Sequence, residues 1–487
     1  MAEAPAPAPG AVHAWALYDF ATTAFYMNFM STYFALWVVK DQQGTDLAYG
    51  WAKSGSMLVV ALLSPALGAW SDRLGRTRPF LLAFTGLFLA GGLALGQVSG
   101  LAAGLVIFGL ANVGLQLASV FYNAMLPAVA PPDRLGRVSG YGRAVGYVGS
   151  LAAVLVGMAF ATGQLFGHPV PGLGAGGNQA VFVPTALLAA AAALPLLWLR
   201  ERPRGPLIPH HPSSSLTRTF SAWEQGATGL RLHRVKPDPA LLSLREQMAA
   251  GRVRGYRGRR REPGAVPPPA HGALSPAHWF ALVRELWTDP RLRGAGLFLL
   301  SGFLFFDTIN TIRDFMSIYL VKVVGLSETA GSLQRFLLVV VTCSLVGALG
   351  FGWLADRLSP RKALLTVLGL LGAGFAAMVV VREQAWVLGA IGPVLGLAFG
   401  GVLVTARPLL ARLVPAERRG EFFGLFVLAN DFAAILGPLT WGLIVQGLAG
   451  HGVLAYQAAL AAQLGFLALG FLVLLRVPEG DVNAPAG

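Results

Sequence analysis

Long apolar runs recur along almost the whole of this 487-residue chain, and they constrain its fold more than any other feature. A run of about 20 apolar residues is the length that an α-helix needs to cross the hydrocarbon core of a bilayer. Six runs lie in the first half of the chain, at 14–39, 49–70, 79–97, 101–127, 137–160 and 180–199. Six more follow, at 294–320, 330–355, 363–381, 386–411, 421–447 and 453–475. The sequence therefore predicts an all-α integral membrane protein with twelve transmembrane helices.

The composition agrees with a chain that lipid stabilises. Hydrophobic residues make up 55% of the chain and charged residues 12%, against roughly a quarter charged residues in soluble domains. The single cysteine, Cys343, lies inside an apolar run, which excludes a disulfide framework and a thiolate metal site. The sequence contains neither a G-x-x-x-x-G-K-[ST] nucleotide loop nor a metal-ligand spacing. We therefore expect a protein that is not an enzyme and that binds no cofactor and no metal.

Positive charge is concentrated on one predicted side of the membrane. Residues Arg200 to Arg293 hold 17 Lys and Arg against 7 Asp and Glu, a net of +10 within the +14 of the whole chain. Smaller basic clusters at 73–78, 134–137, 357–362 and 412–419 fall on the same side if the spans alternate. Cytoplasmic loops of membrane proteins carry such an excess. We expect a plasma (inner) membrane protein with both termini and the central loop in the cytoplasm, monomeric, in contact with lipids and without a nucleic-acid partner.

Two sequence motifs recur with the same spacing. Gly68-Ala-Trp-Ser-Asp72-Arg73-Leu-Gly75-Arg76 returns 284 residues later as Gly352-Trp-Leu-Ala-Asp356-Arg357-Leu-Ser-Pro-Arg361, and residues 133–136 return in the same register at 417–420. A duplicated six-helix unit explains both repeats. The predicted domains are two pseudo-symmetric six-helix bundles at 1–199 and 294–487. Between them, residues 200–293 are predicted to form a basic, mostly disordered cytoplasmic linker with a short amphipathic helix at 276–286.

Ionisable residues inside the predicted spans are candidate solute or proton sites. A charge at the centre of a transmembrane helix costs on the order of 2.5–3.5 kcal/mol on insertion scales, so it is usually paired or faces a wet cavity. Asp19 and Arg143 lie at similar depth, and we predict that they interact, although a pair that only packs the bundle is equally open. Asp307, near mid-span, is favoured as a proton or substrate-amine site. Asp431 could serve the same path or only pair between helices.

Uncharged polar residues in the spans could line the same path. Asn112 and Gln116 are four residues apart and share one face of the fourth span, although such residues more often form interhelical hydrogen bonds. All eight histidines fall in loops or near span ends, so any proton coupling must use carboxylates. The full candidate set for substrate or coupling is Asp19, Thr22, Asn112, Gln116, Asn123, Arg143, Asp307, Asn310 and Asp431.

The G-x-x-x-D-R-x-G-R pattern resembles the signature loop of the major facilitator superfamily, and by that resemblance it belongs to gating. Its residues here are Gly68, Asp72, Arg73, Gly75 and Arg76, with Gly352, Asp356, Arg357 and Arg361 in the second copy. Gly68 is expected to allow close helix contact and Gly75 to occupy a turn with unusual backbone angles. Asp72 and the arginines can form charge pairs that break when the two halves move. Ser359 and Pro360 depart from the pattern and predict a tighter second turn.

Three segments carry a narrower resemblance, to the vacuole-effluxer-like branch of the superfamily. They are Trp15-Ala-Leu-Tyr-Asp-Phe-Ala-Thr-Thr-Ala-Phe25, then Phe121-Tyr-Asn-Ala-Met-Leu-Pro127 with Arg137-Val-Ser-Gly-Tyr-Gly-Arg-Ala-Val-Gly-Tyr-Val-Gly149, and Phe305-Phe-Asp-Thr-Ile-Asn-Thr311. Eukaryotic members of that branch export amino acids from the vacuole. The resemblance implies a secondary active transporter of a small, polar, amino-acid-like solute that works by alternating access and is coupled to protons. Arg143 stands where the branch usually has an aromatic residue.

Two other functions stay open at this point. The same fold could carry amphipathic drugs or sugars, because the substrate class rests on the resemblance. The chain could also be a non-transporting membrane receptor or adaptor that acts through its basic central loop.

Overall fold

The computed structural model describes residues 10–129, 135–198, 276–327, 331–415 and 418–479. The prediction of a disordered linker falls on residues outside this described part, except for its last stretch. There the expected amphipathic helix is present as Pro276–Thr288.

The first half of the chain forms six long helices. They are α1 (11–41), α2 (Asp46–Leu74), α3 (Arg78–Leu95), α4 (Leu101–Val129), α5 (Leu135–Thr162) and α6 (Gln179–Trp198). A short antiparallel hairpin lies between α5 and α6, and its two strands, β1 (Gln164–Leu165) and β2 (His168–Pro169), have two residues each. Helix α1 is continuous but contains two π-helical segments, Tyr26–Tyr33 and Trp37–Asp41. Such segments are often found at functional sites.

The second half repeats this arrangement after the linker. Its elements are α7 (Pro276–Thr288), α8 (Arg293–Val324), α9 (Ser332–Arg357), α10 (Pro360–Val380), α11 (Gln384–Leu413), α12 (Arg419–Gly447) and α13 (Val453–Leu474). The offset of 284 residues maps the first residue of α5 onto the first residue of α12. In the described ranges, eleven helices are long and apolar enough to span a membrane. Helix α1 has the length, but its Asp, Asn, Thr and Tyr residues lower its hydropathy.

The helices pack as two bundles that meet along three helix pairs. In the first bundle α1 contacts α5 and α6, and α3 contacts α4; in the second α8 contacts α12 and α13, and α9 contacts α11. Helix α2 packs against α12, α5 against α9 and the second half of α1 against α8, and these contacts join the bundles. We call the end that carries the start of α1, the end of α6 and the start of α8 the linker face. The opposite end, with the turns at 41–46, 162–179 and 324–332, is the far face.

Polar contacts close the far face between the bundles. Asp46 at the start of α2 accepts hydrogen bonds from Trp441 Nε1 at 3.4 Å and from the Tyr456 hydroxyl at 3.1 Å. Ser54 donates to the carbonyl of Ile435 at 2.6 Å. Between these contacts, a Cβ on Gly50 would lie 2.5 Å from the carbonyl oxygen of Pro438, so α2 and α12 approach backbone to backbone. The far face is therefore sealed in this structure.

Helix α7 is attached to the second bundle at the linker face. Leu282 and Leu286 are buried, whereas Trp287 is exposed. Glu285 accepts hydrogen bonds from both terminal nitrogens of Arg418, at 2.6 and 2.8 Å, and these bonds raise the pKa of that guanidinium above its ordinary value. Paired bonds of this kind fix orientation as well as distance, so the end of the linker is held against the start of α12.

Candidate functional site

The predicted pair of Asp19 and Arg143 is confirmed as a contact. Arg143 Nη1 of α5 lies 3.6 Å from Asp19 Oδ1 of α1. The Asp19 side chain is 6% exposed and that of Arg143 is 54% exposed. By helix rise, both residues lie about 12 Å inside the linker face. A charged side chain at such a depth is usually paired or hydrated, and Arg143 is both paired with Asp19 and half-exposed.

Small residues on α5 make this contact possible. A Cβ on Gly146 would lie 2.6 Å from Asp19 Oδ2 and 3.0 Å from Thr23 Oγ1, and a Cβ on Gly142 would meet the Trp15 ring at 2.5 Å. Only glycine therefore lets α1 come close enough for its carboxylate to lie beside the α5 backbone. The spacing of Gly142, Gly146 and Gly149 places the three glycines along this contact.

We expect Gly146→Ala to displace the Asp19 carboxylate and to lower the melting temperature of the purified protein. Overpacking of a tight contact costs about 1–3 kcal/mol, and the loss should appear in a fluorescence melt in detergent. Gly140→Ala is the matched control on the same helix, because a Cβ there meets nothing within 4 Å. Equal melting temperatures for the two variants would contradict the proposed fit.

Aromatic residues form a wall beside the ion pair. Trp15 and Tyr122 stack with ring centroids 4.5 Å apart, and Trp15 Nε1 donates to the Tyr122 carbonyl at 3.3 Å. Two of the segments singled out in the sequence, on α1 and α4, are thus in direct contact. From the opposite bundle, Arg407 of α11 lies within electrostatic range of Arg143. Two guanidinium groups from different bundles therefore face the same region.

Asp307 is a buried acidic side chain near the middle of α8. It is 2% exposed, and no hydrogen-bond donor among the described residues reaches its Oδ2. Across the α8–α12 contact it lies against Gly437, where a Cβ would be 3.1 Å from Asp307 Oδ1. A carboxylate in such a place is costly unless it holds a proton.

A separate polar network lies one turn further along α8. Arg313 Nη2 donates to Asn310 Oδ1 at 3.0 Å, and Asn310 Nδ2 donates to Asn430 Oδ1 on α12 at 3.2 Å. Arg313 is exposed, and its guanidinium lies 4.4 Å from the ring centroid of Tyr26 in the other bundle. Because Tyr26 is on the inner helix α1, this second exposed arginine also faces the space between the bundles.

A buried ion pair that the candidate set did not include crosses the bundle interface nearby. Lys53 Nζ of α2 lies 3.3 Å from Asp314 Oδ2 of α8, with the two side chains 2% and 1% exposed. The Tyr26 hydroxyl donates to Asp314 Oδ1 at 2.9 Å. The signal for Lys53 was available in the sequence, since it is a lone lysine inside an apolar run.

Several uncharged candidates have other roles or remain untested. Asn112 is fully buried and donates to Ser56 Oγ on α2 at 2.7 Å, the interhelical hydrogen bond that was the alternative for this residue, and its role as a path-lining residue stays a prediction. Thr22 is buried, and its hydroxyl donates to α1 carbonyls. The remaining members, Gln116, Asn123 and Asp431, are half-buried on α4 and α12, and their role as path-lining residues stays a prediction.

The first copy of the gating motif forms the turn from α2 to α3. Gly75 has a φ of 61°, which confirms its unusual backbone conformation. The prediction of a close helix contact at Gly68 is wrong for this conformation, because a Cβ on Gly68 would meet nothing within 4 Å. The side chains of Asp72 and Arg73 lie outside the described part of the structure. Arg76 is exposed, and its backbone N–H donates to the Ser71 carbonyl at 3.3 Å.

The second copy is built differently. Ser359 is extended and its hydroxyl accepts a hydrogen bond from the Lys362 backbone N–H at 3.2 Å, so it starts α10 where the first copy has glycine. Arg357 lies over the Trp353 ring at 4.1 Å, and Asp356 is exposed. Arg361 forms an ion pair with Glu479 at 3.0 Å. That contact ties α10 to the end of α13 inside one bundle. Gly352, like Gly68, has open space where a Cβ would be.

The region between the bundles is suited to holding charged organic groups. Guanidinium groups bind carboxylates through paired hydrogen bonds, and carboxylates bind ammonium groups. Within the residues described, no group of three His, Cys, Asp or Glu side chains is placed to hold a metal ion. The arrangement can therefore bind a polar solute and a proton.

Comparison with known sequences bears on the whole chain. The sequence pattern of the Major Facilitator Superfamily matches residues 19–438 and 336–487. The uncharacterized MFS-type transporter YxiO of Bacillus subtilis (strain 168) is 23% identical over 485 residues, covering 96% of this chain and 94% of that protein. Autophagy-related protein 22 of Botryotinia fuckeliana is 26% identical over 187 residues, 35% of this chain and 27% of that protein. These similarities confirm the resemblance that the motifs indicated.

Solved structures show the same fold at low sequence identity. The nucleoside transporter NupG aligns with a TM-score of 0.66 at 13% identity, covering 96% of this chain and 99% of its own. A bacterial homolog of the human lysosomal transporter Spinster aligns with a TM-score of 0.64 at 16% identity, covering 98% and 100%. The predicted fold of twelve helices in two six-helix bundles is confirmed.

Proposed function

Because the chain belongs to the Major Facilitator Superfamily, we propose that it is a secondary active transporter that moves a small polar organic solute by alternating access. In support, polar contacts join the two bundles at the far face, whereas Arg143 of the pair toward the linker face remains half-exposed. We assign the solute cavity to the space beside this pair. Rocking of one bundle against the other would expose the same residues to the opposite side. Both bundles lie in one chain, so a monomer in contact with lipid suffices.

The proposed solute is amino-acid-like, and one observation carries this choice. Arg143 is half-exposed inside the membrane although it is paired with Asp19, so a cation and an anion lie side by side at the cavity wall. A zwitterion can complement both groups. Arg407 and Arg313 add positive charge from the second bundle, which favours a carboxylate on the solute.

Flux assays in proteoliposomes test the solute class. Purified protein is reconstituted, and uptake of radiolabelled amino acids is compared with that of a neutral sugar and of a cationic drug, each with empty liposomes as control. We expect saturable flux for at least one amino acid and its inhibition by other zwitterions. Flux of the sugar or the drug alone would refute the amino-acid assignment and leave the transporter assignment standing.

For the coupling ion we propose a proton carried by Asp307. The support is its burial at the α8–α12 contact together with the unpartnered Oδ2. A proton taken from one side would neutralise this carboxylate, and its release after the bundles rock would return the charge to a hydrated site.

We further propose that the linker face is the cytoplasmic face of the plasma membrane. Arg76, Arg357, Arg361 and Arg412 lie at this face in addition to the basic linker. Near the far face, the basic residues are Lys40, Lys322, Arg335 and Arg382, and the acidic residues Asp41, Asp46 and Glu383 offset most of their charge. Fusions at the C-terminus check this topology: green fluorescent protein should fluoresce and alkaline phosphatase should be inactive. Active phosphatase at that end would reverse the orientation.

A further inference from the structure

We propose that Lys53, Asp314 and Tyr26 form a latch that closes the far face, and that Arg313 makes its closure depend on an anionic group of the solute. The inference rests on the alternating-access transport proposed above. It names the residues that close the far face and makes closure depend on the charge of the solute, which we call the charge rule. Its test does not require a known solute.

The latch joins the two bundles through a fully buried ion pair. Lys53 is on α2 and Asp314 on α8, and their side-chain charges are 3.3 Å apart with 2% and 1% exposure. By helix rise, Lys53 lies about 10 Å and Asp314 about 15 Å inside the far face. The pair therefore lies behind the contacts of Asp46 and at about the same depth along α2 as the Ser54 contact, on the inner side of the far-face seal.

Tyr26 connects the ion pair to the cavity. Its hydroxyl donates to Asp314 Oδ1 at 2.9 Å, while its ring lies 5.3 Å from Lys53 Nζ and 4.4 Å from the Arg313 guanidinium carbon. It is also the first residue of the π-helical segment Tyr26–Tyr33, where the backbone of α1 departs from regular α-helix. One side chain thus contacts both cations and the anion.

The energetics of a buried ion pair suit a gate that must reopen. Removing two charges from water is costly, and their attraction roughly balances that cost only when both partners are present. Opening the far face returns both groups to water, so the open and closed states differ little in free energy. An apolar contact at the same place would favour closure, because opening would expose it.

The charges at the latch do not balance. Lys53 and Arg313 are two cations beside the single carboxylate of Asp314, and Arg313 repels Lys53 across the Tyr26 ring. This surplus positive charge weakens the closed state. A solute carboxylate that binds the exposed Arg313 supplies the missing negative charge, and the latch closes over it. The far face would then shut most readily when a solute is present.

Thiol labelling measures the latch directly. Ser317, which is buried and donates to the backbone of Ser31 in the other bundle, is changed to cysteine in a Cys343→Ser background. A membrane-impermeant maleimide is applied at the far side of intact cells without solute. Lys53→Met leaves the Asp314 carboxylate buried without its cation, so we expect labelling at least about tenfold faster than in the parent.

Two further variants separate the latch from simple loss of structure. Lys53→Met, Asp314→Leu and Tyr26→Phe combined replace the latch with apolar side chains, and labelling should fall below that of the parent. Arg313→Gln removes the surplus charge, and labelling should fall about threefold. The control Lys362→Gln breaks the 3.7 Å pair with Glu479 inside one bundle and should change nothing.

Specific results would overturn the inference. Parent-like labelling of Lys53→Met, or faster labelling of the apolar triple variant, would show that these residues do not hold the far face closed. Unchanged or faster labelling of Arg313→Gln would remove the charge rule alone. If no solute is ever transported while labelling changes as expected, the latch stands and the transport proposal fails, so the two failures are distinguishable.

Discussion

Asp307→Asn is expected to abolish proton-driven accumulation while binding and exchange of the solute persist. Asn keeps the shape of the side chain but cannot carry a proton, and Asp307 is buried with its Oδ2 unpartnered. One coupled charge and a potential of 100 mV supply about 2.3 kcal/mol, which corresponds to a concentration ratio of about 50. The ratio should fall to about 1 in the variant, measured as labelled solute in proteoliposomes with an imposed proton gradient.

Counterflow separates this loss of coupling from a loss of structure. Liposomes preloaded with unlabelled solute should still exchange it in the Asp307→Asn variant, because exchange needs no net proton movement. Asp289→Asn is a suitable control, since Asp289 lies outside the membrane spans and its carboxylate accepts a hydrogen bond from the Arg291 backbone N–H at 2.9 Å. Accumulation at the parent level in Asp307→Asn would assign coupling to another group.

The sequence was sufficient for the fold because the bilayer imposes it. Span length, the 284-residue repeat and the Asp19–Arg143 pair all follow from helix rise and from the cost of an unpaired charge in lipid. Depth along a helix can be counted from residue numbers, and two residues at equal depth on inner helices can meet. The sequence shows a glycine at position 146, but it does not show that this glycine packs against Asp19 and Thr23 of α1.

What the sequence could not supply is which face of each helix meets which neighbour. Asn112 and Gln116 share a face of α4, yet that face turns toward α2, and Asn112 is used in a hydrogen bond to Ser56. Lys53 and Asp314 are 261 positions apart and belong to different bundles. Their pairing depends on how the bundles dock in one conformation, and helix periodicity carries no information on that.

Arg143→Gln should have the second large effect, on transport and on stability together. Removing Arg143 leaves the Asp19 carboxylate without its cation, and because Arg143 is half-exposed the cost is smaller than the cost of breaking a fully buried pair. Asp19, with its side chain only 6% exposed, would be the charge left unpaired. We expect flux to fall by at least about 100-fold and the melting temperature in detergent to fall as well. Arg412→Gln, an exposed arginine in the last turn of α11, should stay within a factor of about two in flux.

The double variant Asp19→Asn, Arg143→Gln distinguishes binding from packing. With both charges removed, no charge is left buried and unpaired, so the melting temperature should recover toward that of the parent. Flux should remain lost if the pair contacts the solute, because a neutral amide pair cannot complement a zwitterion. Arg143→Lys should recover only part of the flux, since an ammonium keeps the charge but lacks the planar fork that binds a carboxylate. Recovery of both stability and flux in the double variant would make Asp19 and Arg143 a packing pair, and the solute site would then have to lie with Arg313 and Asn310 on α8.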